Sequence, residues 1–99
     1  FLLLAQSENF KNLKVLRISG VPMGDEEVQP LVNSSSLKQL EELEVSGNSI
    51  TGSGLRMLAD SSVLSHLKKL DLRRNRLNDA DLIFLAGSPK FGNLETIRF

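Results

Sequence analysis

The sequence predicts an α/β solenoid: a right-handed coil with short parallel strands on its concave face and a helix after each strand on its convex face. Three observations predict it. Leucine fills 19 of the 99 positions, roughly twice ordinary usage. Apolar residues recur in one register, L-x-x-L-x-L, at a fixed period of 27. The second half of each unit places apolar residues at i, i+3 and i+4, the spacing of one helical face.

Taken in order, Leu13, Leu16 and Ile18 align with Leu40, Leu43 and Val45, with Leu67, Leu70 and Leu72, and with Leu94, Ile97 and Phe99. One domain over 1–99 then divides into a partial unit 1–12, three units 13–39, 40–66 and 67–93, and a partial unit 94–99. Successive strand residues point to opposite faces, so Leu16 and Ile18 and their equivalents point inward, Phe99 included unless the end of the chain exposes it. The helical segments carry Val28, Leu31 and Val32, then Leu55, Leu58 and Ala59, then Leu82, Leu85 and Ala86. Phe1, Leu4 and Ala5 occupy the same columns, so residues 1–12 read as the helix of a preceding unit. Strands stack about 4.8 Å apart and helices about 10 Å apart, which forces curvature. Met23, Ile50 and Leu77, with Phe10, Leu37, Leu64 and Phe91, complete the expected core. Pro30 falls deep in the first helical segment, where it removes a hydrogen bond, so that segment is expected to be short or distorted.

Units two and three read L-x-x-L-x-L-x-x-N-x-L in full, from Leu40 to Ile50 with Asn48 and from Leu67 to Leu77 with Asn75. This pattern resembles the leucine-rich-repeat family, and the chain is similar to a fragment of its horseshoe. The 27-residue unit looks like the ribonuclease-inhibitor-like subclass. Residues 85–91 also resemble tandem arrays of bacterial repeat proteins. The resemblance implies that Asn48 and Asn75 turn inward onto backbone groups. Unit one has Val21 in that column. The resemblance further implies protein binding, as in ribonuclease inhibitors, Ran GTPase-activating proteins and NOD-like receptors. A rival reading makes the array the targeting or activating arm of a larger enzyme-linked protein, GTPase-activating or ubiquitin-ligase.

The same residues weigh against other chemistries. Twelve basic and twelve acidic residues cancel, unlike the basic excess of a nucleic-acid binder or a membrane-surface protein. Without cysteine there is no disulfide framework or thiolate metal site, and a reducing, cytoplasmic location is expected. The apolar run Phe1 to Ala5, which no other run exceeds, is far short of a membrane span. His66 is the sole histidine; it shares a column with Asn12, Gln39 and Asn93 and reads as a connector residue. Asp25, Glu26 and Glu27, like Asp79 and Asp81, fall in first helical turns and complement the helix dipole. Gly52 and Gly54 lack the remaining elements of a phosphate loop and read as a tight turn capped by Thr51 or Ser53. No cofactor, metal or catalytic constellation is expected, and the chain reads as a non-enzyme.

The outward strand face holds the most information. Windows 14–20, 41–47, 68–74 and 95–98 contain 12 of the 24 charged residues, about double the chain average. One column alternates strictly: Lys14, Glu41, Lys68, Glu95. Glu41, Glu42 and Glu44 form an acidic stripe, and Lys68, Lys69, Arg73 and Arg74 a basic one. These charges serve as register-favouring ladders, as a docking surface for a protein partner, or as both. The candidate binding residues are Arg17, Glu42, Glu44, Lys69, Asp71, Arg73 and Arg98. Four strands roughly 17 Å long offer on the order of 300 Å², less than the about 800 Å² per partner of a standard interface. Both ends lack the polar cap of natural solenoids. The chain is therefore expected to be part of a longer protein or to self-associate.

Overall fold

Each L-x-x-L-x-L segment forms a three-residue strand. The computed structural model describes residues 13–19, 24–34, 37–61, 65–87 and 93–99. Along these run β1 (Val15–Arg17), α1 (Asp25–Asn33), β2 (Glu42–Glu44), α2 (Gly52–Asp60), β3 (Lys69–Asp71), α3 (Asp79–Gly87) and β4 (Thr96–Arg98). The strands make one parallel sheet in chain order. Its register follows the 27-residue period, with Leu16, Leu43, Leu70 and Ile97 side by side. The expectation of strands roughly 17 Å long is corrected: three residues reach about 10 Å. The strands stop early because the chain turns at once after Val45 and Leu72, with Gly47 at φ 69° and Arg74 at φ 60°.

Asn48 and Asn75 close these turns as the resemblance implied. Asn48 Nδ2 donates to the carbonyls of Ile18, Val45 and Ser46 at 3.0, 2.9 and 3.1 Å. Asn75 Nδ2 donates to Val45, Leu72 and Arg73 at 2.8, 3.0 and 3.3 Å, and its Oδ1 accepts from Ile50 N at 3.0 Å. Backbone groups leaving the sheet are thus satisfied across adjacent units.

The core lies between sheet and helices. Leu43, Val45, Leu70 and Leu72 from the strands meet Val28, Leu31, Leu55 and Leu58 from the helices, with Leu37, Leu40, Ile50, Leu67 and Leu85. Leu13, Leu16, Ile18, Leu77, Leu94 and Ile97 pack against this core half-buried. Phe99, inward by register, is 62% exposed, because its strand has a neighbour on one side only among the described residues.

Pro30 does not shorten its helix, contrary to expectation: α1 has nine residues, as do α2 and α3. Only the one i→i−4 bond to Glu26 is lost, while Val28, Leu31 and Val32 stay buried. In α3, Leu85 is buried, Leu82 half-buried and Ala86 exposed, so the expected inward position of Ala86 is corrected. This last described helix packs on α2 along one flank. The expectations for residues 1–12, Val21, Met23, Leu64 and Phe91 lie outside the described residues.

The acidic first turns do more than complement helix dipoles. Asp25 accepts hydrogen bonds from Thr51 N at 2.9 Å and from Thr51 Oγ1, joining α1 to the start of α2. Thr51 caps α2 by accepting from Ser53 N. Asn78 and Asp81 exchange side-chain to backbone bonds at 3.0 Å each, a reciprocal cap on α3. Asp81 also faces Arg56 of α2 at 3.7 Å. Gly52 and Gly54 lie in the first turn of α2 at ordinary negative φ, which corrects their reading as turn glycines. A Cβ on Gly52 would run into the Asp81 carboxylate, and one on Gly54 into Asp25 and the Ile50 methyl. They are small so that neighbouring units can approach.

Candidate protein-interaction face

Alternation along the strands turns two columns outward. Val15, Glu42, Lys69 and Thr96 form one, and Arg17, Glu44, Asp71 and Arg98 the other. Together with Leu43 and Leu70 at its floor, they line a concavity of about 220 Å³. Six of the seven predicted binding residues are brought together here: Arg17, Glu42, Glu44, Lys69, Asp71 and Arg98. The seventh, Arg73, lies one step further along and folds back over Asp71.

Ion pairs tie the columns across the strands. Glu41 lies between Lys14 at 3.1 Å and Lys68 at 3.9 Å. Glu42 lies between Lys69 at 3.3 Å and Arg17 at 3.9 Å, and Arg17 also reaches Glu44 at 3.3 Å. Ser19 donates to Glu44 at 3.0 Å and contacts Ser46 at 3.2 Å. The acidic stripe of β2 is therefore flanked by cations on both sides. A hydrogen bond from Lys14, reinforced by the charges of Lys14 and Lys68, holds the Glu41 carboxyl below the usual carboxylate range. Each pair is largely solvated and individually weak, but together they set the head groups in a fixed order.

Asp71 is the exception to the solvated pattern. It lines the concavity yet is buried, because Arg73 covers it. The Arg73 guanidinium donates to both Asp71 oxygens at 2.7 to 3.1 Å, and Arg73 N donates to Oδ1 at 3.1 Å. These bonds hold the Asp71 carboxyl below its ordinary range against the opposing effect of burial. Asp71 is thus a positioning group for Arg73 rather than a docking side chain. Arg98 stands beside Asp71 in register.

Several contacts between units escaped sequence reasoning. Ser61 Oγ donates to the Val32 carbonyl at 2.8 Å, capping the preceding helix. Its signal was visible, since Ser34, Ser61 and Ser88 recur at the same 27-residue period. Arg56 lies over the Phe84 ring at 4.9 Å, a pairing with no periodic trace. His66 is an exposed connector residue, and Asn93 of its column donates to the Ser65 carbonyl at 2.8 Å. Among the described residues no cluster of His, Asp or Glu is arranged to hold a metal ion, and no helix is long and apolar enough to cross a membrane.

The leucine-rich-repeat pattern matches the chain twice, over residues 36–59 and 63–86. No curated protein sequence matches the chain. Each match spans a strand, its inward asparagine or the turn that asparagine closes, and the helix that follows. Leucine-rich repeats are typically non-catalytic modules that bind other proteins. With the parallel sheet in 27-residue register and the asparagine ladder between its turns, the chain folds as a leucine-rich-repeat solenoid and carries two such repeats over residues 36–59 and 63–86.

Proposed function

We propose that the outward strand face is a non-catalytic surface for protein recognition or scaffolding. The observation that carries this reading is the division of labour within each strand. Leu43 and Leu70 build the core, while the residues on either side of them hold charged head groups in register over a concavity. Such a pattern selects a partner and its register more than it supplies raw affinity. The ladders also favour strand pairing, and that role is compatible with docking, because a surface already ordered by internal ion pairs loses less freedom when a partner arrives.

Site-specific photo-crosslinking tests the reading. A crosslinking residue placed at Thr96 on the strand face should capture a bound protein partner. The same residue at Gln29, exposed on α1, should not. Equal capture from both positions would remove the strand face as the recognition surface. Glu26→Lys reverses an exposed carboxylate on α1 and should leave partner binding unchanged, whereas half-buried Asp25 is bonded to Thr51 and is unsuited as such a control.

A further inference from the structure

The charge on the strand face is uneven, and its surplus lies on the β3–β4 side. Glu41, Glu42, Glu44 and Asp71 are each already engaged by at least one cation. Counting Glu95, five carboxylates on this face meet seven cations: Lys14, Arg17, Lys68, Lys69, Arg73, Arg74 and Arg98. The whole chain is neutral, so the excess is local. Asp71 gives both oxygens to Arg73, so Arg98 beside it acts on that carboxylate through space and makes no ion pair within 4.0 Å among the described residues. Arg74 likewise has no ion pair among them. Both guanidiniums are exposed.

Arg74 adds an independent observation. Its backbone sits at φ 60°, where the equivalent residue of the preceding unit is Gly47 at φ 69°. That conformation costs a side-chain-bearing residue roughly 1 kcal/mol or more. Here the strain is borne by an exposed cation that makes no ion pair among the described residues, and such outliers collect at working surfaces.

We propose that the β3–β4 half of the strand face, where Arg98 and Lys69 line the concavity and the exposed Arg74 follows in the turn after β3, binds an acidic, extended segment of a partner protein. This rests on the reading of the strand face as a recognition surface and names the chemistry of the partner. A carboxylate matches the guanidinium fork in two parallel hydrogen bonds. A polypeptide fits better than a nucleic acid. Glu42, Glu44 and Glu95 interrupt the cations on the same face and would oppose an unbroken phosphate backbone. A peptide instead spaces its charges at will, at about 3.3 Å per residue.

Titration of the 99-residue chain with three labelled probes tests this: hexaglutamate, hexalysine and a twelve-residue oligothymidine. Fluorescence anisotropy measures affinity, and amide chemical shifts map the site. Hexaglutamate should bind, shift Lys69, Thr96 and Arg98, and weaken as salt rises. The pair Arg74→Glu and Arg98→Glu should lose about tenfold in affinity for it, with an unchanged far-ultraviolet circular dichroism spectrum. If the pair misfolds, Arg98→Gln alone, on an exposed strand position, serves with a smaller loss expected. Absence of hexaglutamate binding, equal binding by the variants, or tighter binding of oligothymidine would overturn the proposal. Should hexalysine alone shift Glu42 and Glu44, the acidic partner falls while the recognition face stands. If no probe shifts any strand-face amide, both fall.

Discussion

Two side chains show how much a single residue carries in a repeat of this kind. Asn75 bonds three carbonyls and one amide drawn from two successive turns. Leucine has the same branched outline but satisfies none of them. Asn75→Leu should destabilise the chain by about 3 kcal/mol through buried backbone groups left unpaired, and Asn48→Leu by a comparable amount. Urea denaturation checks this, and a wild-type midpoint for Asn75→Leu would contradict the bonding described. Arg74 is the opposite case. It is exposed, makes no ion pair among the described residues and holds a left-handed backbone. Arg74→Gly should therefore stabilise the chain by roughly 0.5–1 kcal/mol, the relief of strain less the added freedom of the unfolded glycine. An unchanged or lower midpoint would show that the side chain contributes more to stability than its exposure indicates.

At the scale of elements, three-residue strands cannot hold a sheet by backbone pairing alone, and the connections between units supply the rest. Asp25 joins α1 to α2 through Thr51, Ser61 caps α1 from the end of α2, and Asp81 shares a reciprocal cap on α3 with Asn78 while facing Arg56. On the other side of the sheet, Asp71 locks the turn after β3 by gripping Arg73. This lock has a pH signature. The carboxyl of Asp71 is held below its ordinary range when folded, so the unfolded chain takes up its proton first as pH falls. The stabilisation is complete above the unfolded value of about 3.9 and is lost as pH drops below it toward the folded value. Asp71→Asn should be less stable than wild type at pH 7 and should lose less stability between pH 5 and pH 2. Denaturation midpoints across that range decide it, and parallel acid limbs would show that Arg73 does not stabilise the carboxylate.

For the whole molecule, the main contacts among the described elements join adjacent units, as expected of a stacked repeat. Burial is consequently graded. Leu43, Val45, Leu70 and Leu72 are enclosed, whereas Leu16, Ile18 and Ile97 are half-covered. Local opening should follow this gradient. Amide exchange is expected to be slowest at Val45 and Leu72, whose N–H groups bond to Asp71 and Arg98 carbonyls, and faster by an order of magnitude or more at Ile18. Uniform exchange across the four strands would instead mark a single cooperative unit. The acidic-segment surface lies on the β3–β4 half, so its stiffness depends on the better-packed β3 more than on the outer β4.

The sequence by itself determined the period, the strand register, the identity of the inward residues and the role of Asn48 and Asn75. These are legible because each repeats every 27 residues and obeys a local rule, alternation in a strand or i, i+3, i+4 in a helix. The clustering of six predicted residues on one concavity follows from the same alternation. Tertiary structure decided what depends on distance between units. It made the strands short, kept the helix around Pro30 at full length, and gave Gly52 and Gly54 their reason in the carboxylates packed against them. It also separated Asp71, buried under Arg73, from Arg98 and Arg74, which are exposed and make no ion pair among the described residues. A list of charges cannot show that difference, because whether two opposite charges meet is set by side-chain geometry across neighbouring strands. The column in which each residue stands fixes only that they are close.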